Sequence, residues 1–92
     1  MARRYSIVLT PEPDGSALNV TSSDFPALVT FGETREEALA MARDCAETLI
    51  LTFLDHGWDI PEEGGRTEVA TIEVDLDELR KRLEAEKMAV RA

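Results

Sequence analysis

The sequence predicts a two-layer α+β domain with the order β-β-β-α-β-α, an antiparallel sheet carrying one long packed helix. Three observations predict it. One long amphipathic segment lies between a capping pattern and a Gly–Pro stop. Three short strand-like runs precede it. One more strand-like run and a second apolar stripe follow it. A helix with one apolar stripe needs a sheet or another helix to cover it.

The first run, Tyr5-Ser-Ile-Val-Leu-Thr10, is rich in strand formers. Pro11-Glu-Pro-Asp-Gly15 is a turn by composition. Ala17-Leu-Asn-Val-Thr-Ser22 is a second strand, which makes residues 5–22 a hairpin. Ser23-Asp24 interrupts the pattern. Phe25-Pro-Ala-Leu28 leads into a short third strand, Val29-Thr-Phe31, that ends at Gly32.

The helix start is marked twice. Thr34 and Glu37 have the spacing of a capping box. Glu36 and Glu37 place negative charge at the positive end of the helix dipole. The stop comes at Gly57, suited to a left-handed cap, with Pro61 beyond it. Between them Ala38, Leu39, Met41, Ala42, Cys45, Ala46, Leu49, Ile50, Phe53 and Leu54 recur at spacings of mostly three and four. Arg35, Glu36, Arg43, Asp44, Glu47 and Asp55 occupy the other face.

Trp58 to Gly65 is a connector, with Pro61, Gly64 and Gly65 opposing regular structure. Thr67 to Val74 alternates as a fourth strand, with Ala70, Ile72 and Val74 on one face and Val69 and Thr71 on the other. Asp75 caps a second helix, whose stripe is Leu76, Leu79, Leu83, Met88 and Val90.

The 92 residues suffice for one small domain, 1–92, with a core at 1–65 and a closing unit at 66–92. The formal net charge is −9, from 19 acidic and 10 basic residues. Residues 1–65 hold 12 acidic and 4 basic residues, a net of −8, whereas 66–92 hold 7 and 6. An acidic body repels nucleic acid and suits a basic protein partner, although acidity also serves solubility alone. One cysteine permits no disulfide within the chain. No apolar run has the length of a membrane span, and Met-Ala-Arg-Arg-Tyr has no apolar core after its charges, so no signal peptide is expected and the location is read as cytoplasmic.

Candidate chemistry is sparse. His56 is the only histidine and sits at a helix end, where a structural role outweighs general-base catalysis. Cys45 lies within the apolar stripe and reads as a buried small hydrophobe. One His and one Cys do not make a usual zinc site. A metal-dependent nuclease needs carboxylates converging from strand interiors, and the first three strands hold none. Glu68 and Glu73 stand at odd separation on the fourth strand. The chain is therefore read as a non-enzyme with no cofactor and no metal.

The ordered set Tyr5…Ile7-Val8, Asp14-Gly15, Asp24-Phe25-Pro26-Ala-Leu28, Gly32-Glu-Thr34-x-x-Glu37-Ala38 and His56-Gly57-Trp58-x-Ile60-Pro61 resembles the HicB antitoxin family. That family shows a strand pair, a D-(F/L)-P-x-(L/F) loop, a G-(D/E)-T-x-x-E-A helix start and a G-x-x-(I/L)-P exit. The likeness covers residues 5 to about 64, and its weight lies in the order and separations. Ala27 and Val29-Thr30 stand where the family often has Gly and Cys.

The resemblance implies a partial ribonuclease-H-like fold without that enzyme's active site. It implies a partner, a small basic HicA-type ribonuclease toxin masked by the antitoxin. Many members add a C-terminal DNA-binding module. Here only one helix fits after Val74, whereas a ribbon-helix-helix or helix-turn-helix needs two. Autorepression through residues 66–92, with Arg80-Lys-Arg82 as its basic stretch, is therefore the disfavoured alternative. A third reading is an orphan HicB-like domain with a protein- or ligand-binding role of its own. A homodimer or higher homo-oligomer is expected, because a short sheet leaves an open edge.

Candidate partner contacts are Asp24, Phe25, Leu28, Glu36, Asp44, Glu47 and Trp58. Phe25 and Leu28 read either as apolar anchors within a charged rim or as core beneath the helix. Trp58 reads either as a cap on the core edge or as an oligomer contact.

Overall fold

The computed structural model describes residues 2–62 and 70–91, with backbone alone at 89–91. The elements are β1 (Ala2–Pro11), β2 (Leu18–Thr21), β3 (Val29–Gly32), α1 (Arg35–His56), β4 (Ala70–Asp75) and α2 (Leu76–Arg91). The predicted order is observed. Positions 67–69 of the expected fourth strand lie outside the described residues.

The sheet order is β3-β2-β1-β4, antiparallel throughout. β1 serves two neighbours in turn. Ala2–Ile7 pair with β4, from Ala2 opposite Asp75 to Ile7 opposite Ala70. Val8–Pro11 pair with β2, from Val8 opposite Thr21 to Pro11 opposite Leu18. The pairing with β4 extends β1 back to Ala2, beyond the Tyr5 start read from propensity.

The β1–β2 turn forms as its composition requires. The Gly15 amide donates to the Glu12 carbonyl at 2.9 Å, and Gly15 takes φ 75°. The Asp14 carboxylate accepts the Ser16 hydroxyl at 2.6 Å and its amide at 2.9 Å. These donors favour the charged form, the hydroxyl most, and hold the Asp14 carboxyl below its ordinary value.

α1 is closed at both ends as the sequence requires. Thr34 is extended (φ −122°, ψ 167°), and its hydroxyl accepts the Glu37 amide at 3.1 Å. At the other end Gly57 is left-handed at φ 72°. Its amide donates to the Leu54 carbonyl at 3.3 Å, and the Trp58 amide donates to the Phe53 carbonyl at 2.9 Å. This pair of bonds is the Schellman motif.

One side of the sheet is covered by α1. Tyr5, Ile7, Val20, Ile72 and Val74 are the sheet's buried apolar side chains. From α1, Ala38, Ala42, Ala46 and Ile50 are buried, a four-residue repeat of mostly small side chains that lets the helix sit close to the strands. The buried stripe is narrower than the apolar pattern. Met41 is exposed and Cys45 is half-buried, with its Sγ 3.9 Å from the Val29 carbonyl oxygen. The reading of Cys45 as buried is corrected in that respect, because it lies on the flank of α1 over β3. Gly32 allows the close approach of β3 to α1: a Cβ there would lie 2.6 Å from Ala38 Cα.

α2 starts as expected, with Asp75 Oδ1 accepting the Asp77 and Glu78 amides at 3.0 and 3.2 Å. Leu76 and Leu79 are buried, Leu83 is half-buried and Met88 is exposed. The Val90 side chain lies outside those described. Lys87 pairs with Asp55 at 3.3 Å and ties the second half of α2 to α1.

Candidate partner-binding surface

The loop between β2 and β3 stands where β1 has lost β2 as a neighbour. Side chains replace the missing ladder there. Asp24 Oδ2 accepts the Ser6 amide at 2.9 Å, and the buried Ser22 hydroxyl donates to the Ser6 carbonyl at 2.7 Å. Ser22 Oγ also accepts the Phe25 amide at 3.1 Å, which sets the direction of the loop.

Phe25 and Leu28 are both fully buried. The Phe25 ring lies 5.3 Å from Tyr5 and 5.7 Å from Phe53, between the sheet and α1. Of their two readings, core is the one realised, and as folded neither offers surface to a partner. Asp24 is half-buried and already engaged by Ser6.

Trp58 caps the edge of the core. It follows the left-handed Gly57, and its ring meets Phe53 edge-on at 5.6 Å, the apolar contact that accompanies a Schellman cap. Its outer side is stacked with His56 at 4.4 Å, and the residue remains 55% exposed. His56 donates from Nδ1 to the Thr52 carbonyl at 2.9 Å, a local structural bond. The connector after Trp58 is tied back to β1. Arg3 donates to the Ile60 and Pro61 carbonyls at 3.0 and 2.9 Å, and the Tyr5 hydroxyl donates to Pro61 at 2.8 Å.

Glu36, Asp44 and Glu47 remain on the polar side of α1. Glu36 and Asp44 are exposed and Glu47 is half-buried. Eleven residues separate Glu36 from Glu47, close to three helical turns, so the two share a face. Asp44 and Glu47 line a shallow groove between α1 and β4, with Arg43 and Thr71 at its sides and a volume of about 470 Å³. The fold thus gathers Glu36, Asp44 and Glu47 on one side of α1, three acids with Arg43 among them. Asp24, Phe25 and Leu28 fall outside this group, and Trp58 stands beyond the far end of the helix.

Sequence reasoning missed two residues. Val29 and Phe31 are 65% and 58% exposed. They alternate with Thr30 and Gly32, so the period of two placed them together, but only the packed sheet shows that their face is the uncovered one.

Among the described residues no group of three or more His, Cys, Asp or Glu is placed to hold a metal ion. No described helix is long and apolar enough to cross a membrane.

The capped helix over an antiparallel sheet, the Asp-Phe-Pro loop anchored by buried Phe25 and Leu28, and the Gly-Trp-x-Ile-Pro exit tied to the first strand make one packed unit. A search of curated proteins finds no match to this chain. The family described as HicB-like antitoxin of bacterial toxin-antitoxin system matches residues 4–80, a span from β1 into α2 that takes in all these features. The chain belongs to this HicB-like antitoxin family.

Proposed function

We propose that this chain binds and masks a small basic HicA-type ribonuclease toxin and contributes no catalytic group. Membership of the family gives the coarser statement: an antitoxin role in a toxin-antitoxin system, with a toxin as partner. The observation that carries the finer one is the net negative side of α1, where Glu36, Asp44 and Glu47 outnumber Arg43. Opposite charge steers a basic partner onto such a face and sets its orientation. The reading includes a cytoplasmic location and a homo-oligomeric antitoxin.

Co-purification with the product of an adjacent small basic gene, over a salt series, tests the proposal. A complex that weakens as salt rises supports masking assisted by charge. Glu36→Lys, Asp44→Lys and Glu47→Lys together should weaken it at least tenfold. No complex at low salt overturns the reading.

Operator binding through residues 66–92 retains one supporting observation, the exposure of Arg80, Lys81 and Arg82 on α2. Asp77, Glu78, Glu84 and Glu86 on the same helix oppose it, since affinity for phosphate backbones rests on uncompensated positive charge. A gel-shift assay with the DNA upstream of its own gene separates the two readings.

A further inference from the structure

We propose that the free edge of β3 is the contact by which two copies of this chain pair, strand against strand, into one continuous eight-stranded antiparallel sheet. This rests on the homo-oligomer named above and assigns it a surface.

β3 is the outer strand of the sheet, and no described strand pairs with its other side. Natural sheets usually protect such an edge with charge, proline or a bulge. Val29-Thr-Phe-Gly32 has none of these side chains. Five large apolar residues are exposed among those described, and two of them, Val29 and Phe31, stand two apart on this strand with their side chains on the uncovered face.

Charge selects the occupant. A basic toxin is drawn to the net negative side of α1, and nucleic acid is repelled by a chain of net charge −9. A second copy carries the same negative charge, so it docks best where that charge is locally absent. The other edge, β4, carries Glu73 and Asp75, which a twofold pairing would bring close to their own copies.

Geometry fixes the register. Residues directly opposed in an antiparallel pair share a face, so a twofold axis must pass through a residue and not between two. An axis at Thr30 sets each Val29 opposite the other copy's Phe31, an aromatic against β-branched pair made twice on the uncovered face. It also leaves the two Glu33 side chains six strand positions apart, roughly 20 Å, well beyond the Debye length at physiological salt.

The test is the solution mass by light scattering, with circular dichroism as a check of folding. The wild-type chain should show twice its 10.2 kDa mass. Phe31→Lys should halve that mass with an unchanged helical spectrum. Met88→Lys, at the exposed end of α2, should leave the dimer intact. Thr30→Cys in a Cys45→Ala background should cross-link into a covalent dimer on mild oxidation, since opposed strand residues lie within disulfide reach. A monomeric wild type removes both the oligomer and its surface. A dimer that survives Phe31→Lys, or that fails to cross-link at Thr30, overturns this surface alone. A monomer that loses the toxin on Phe31→Lys assigns the edge to the toxin and overturns the pairing.

Discussion

Asp24 Oδ2 accepts the Ser6 backbone amide at 2.9 Å, and so does the work of a β2 residue where β2 has already ended. An aspartate that reads as a surface charge is part of the sheet's hydrogen bonding. Asp24→Ala should destabilise the chain by about 1–3 kcal/mol, the cost of leaving a partly buried amide unpaired. For a domain of this size each kcal/mol lowers Tm by about 4–8 °C. Asp24→Asn keeps an acceptor and should recover most of the loss. An Asp24→Ala chain with unchanged Tm would return Asp24 to the set of free partner contacts.

Ser22 completes the same substitution from the other side. Its buried hydroxyl donates to the Ser6 carbonyl and accepts the Phe25 amide. Ser22→Ala should cost about 1–3 kcal/mol in urea unfolding. Because it shares Ser6 with Asp24, the double variant should depart from additivity by about 0.5 kcal/mol or more. Strict additivity would show that the two side chains act independently.

The two glycines that bracket α1 should respond differently to alanine. At Gly32 the added Cβ meets helix backbone, with Ala38 Cα at 2.6 Å and the Glu37 carbonyl carbon at 2.8 Å. Backbone cannot rotate aside, so Gly32→Ala should cost about 1–3 kcal/mol through overpacking. At Gly57 nothing lies within 4 Å, and the cost is the left-handed φ of 72° alone, about 1–2 kcal/mol. Gly57→Asn should be milder than Gly57→Ala, because Asn tolerates that conformation. Gly32→Asn should be worse than Gly32→Ala, because it is larger. Thermal melts of the four variants decide it.

The hairpin turn should show a small acid dependence of defined sign. Asp14 is held below its ordinary value by the Ser16 hydroxyl and then the Ser16 amide. A carboxyl depressed in the folded state contributes stability above its unfolded pKa and loses it as pH falls through the folded value. Wild type should therefore exceed Asp14→Ala in urea midpoint near neutral pH, and the gap should close on acidification. A gap that is constant with pH would show that the turn bonds do not depend on the carboxylate charge.

Local chemistry made much of this fold legible. Thr34, Gly57, Asp75 and Gly15 each fix a boundary through bonds made within a few residues. Period-two and period-four patterns found the strands and both helices for the same reason. The site was harder to read. Glu36, Asp44 and Glu47 share one helix, so their spacing was enough to set them together. Asp24, Phe25 and Leu28 lie in a loop with no period, and the partners of Asp24 and Phe25 are Ser6, Tyr5 and Phe53, each 18 or more residues away in sequence.

By itself the sequence determined the elements, their caps and the acidic side of α1, because each depends on backbone bonds and side chains close along the chain. Only the tertiary structure decided that β4 lies beside β1, that β1 changes neighbours after Ile7, and that β3 is left as the neutral open edge. Strand pairing joins segments far apart in sequence, and the face that remains uncovered is a property of the whole sheet. It is that pairing which made Phe25 core, turned Asp24 inward and left Phe31 outside.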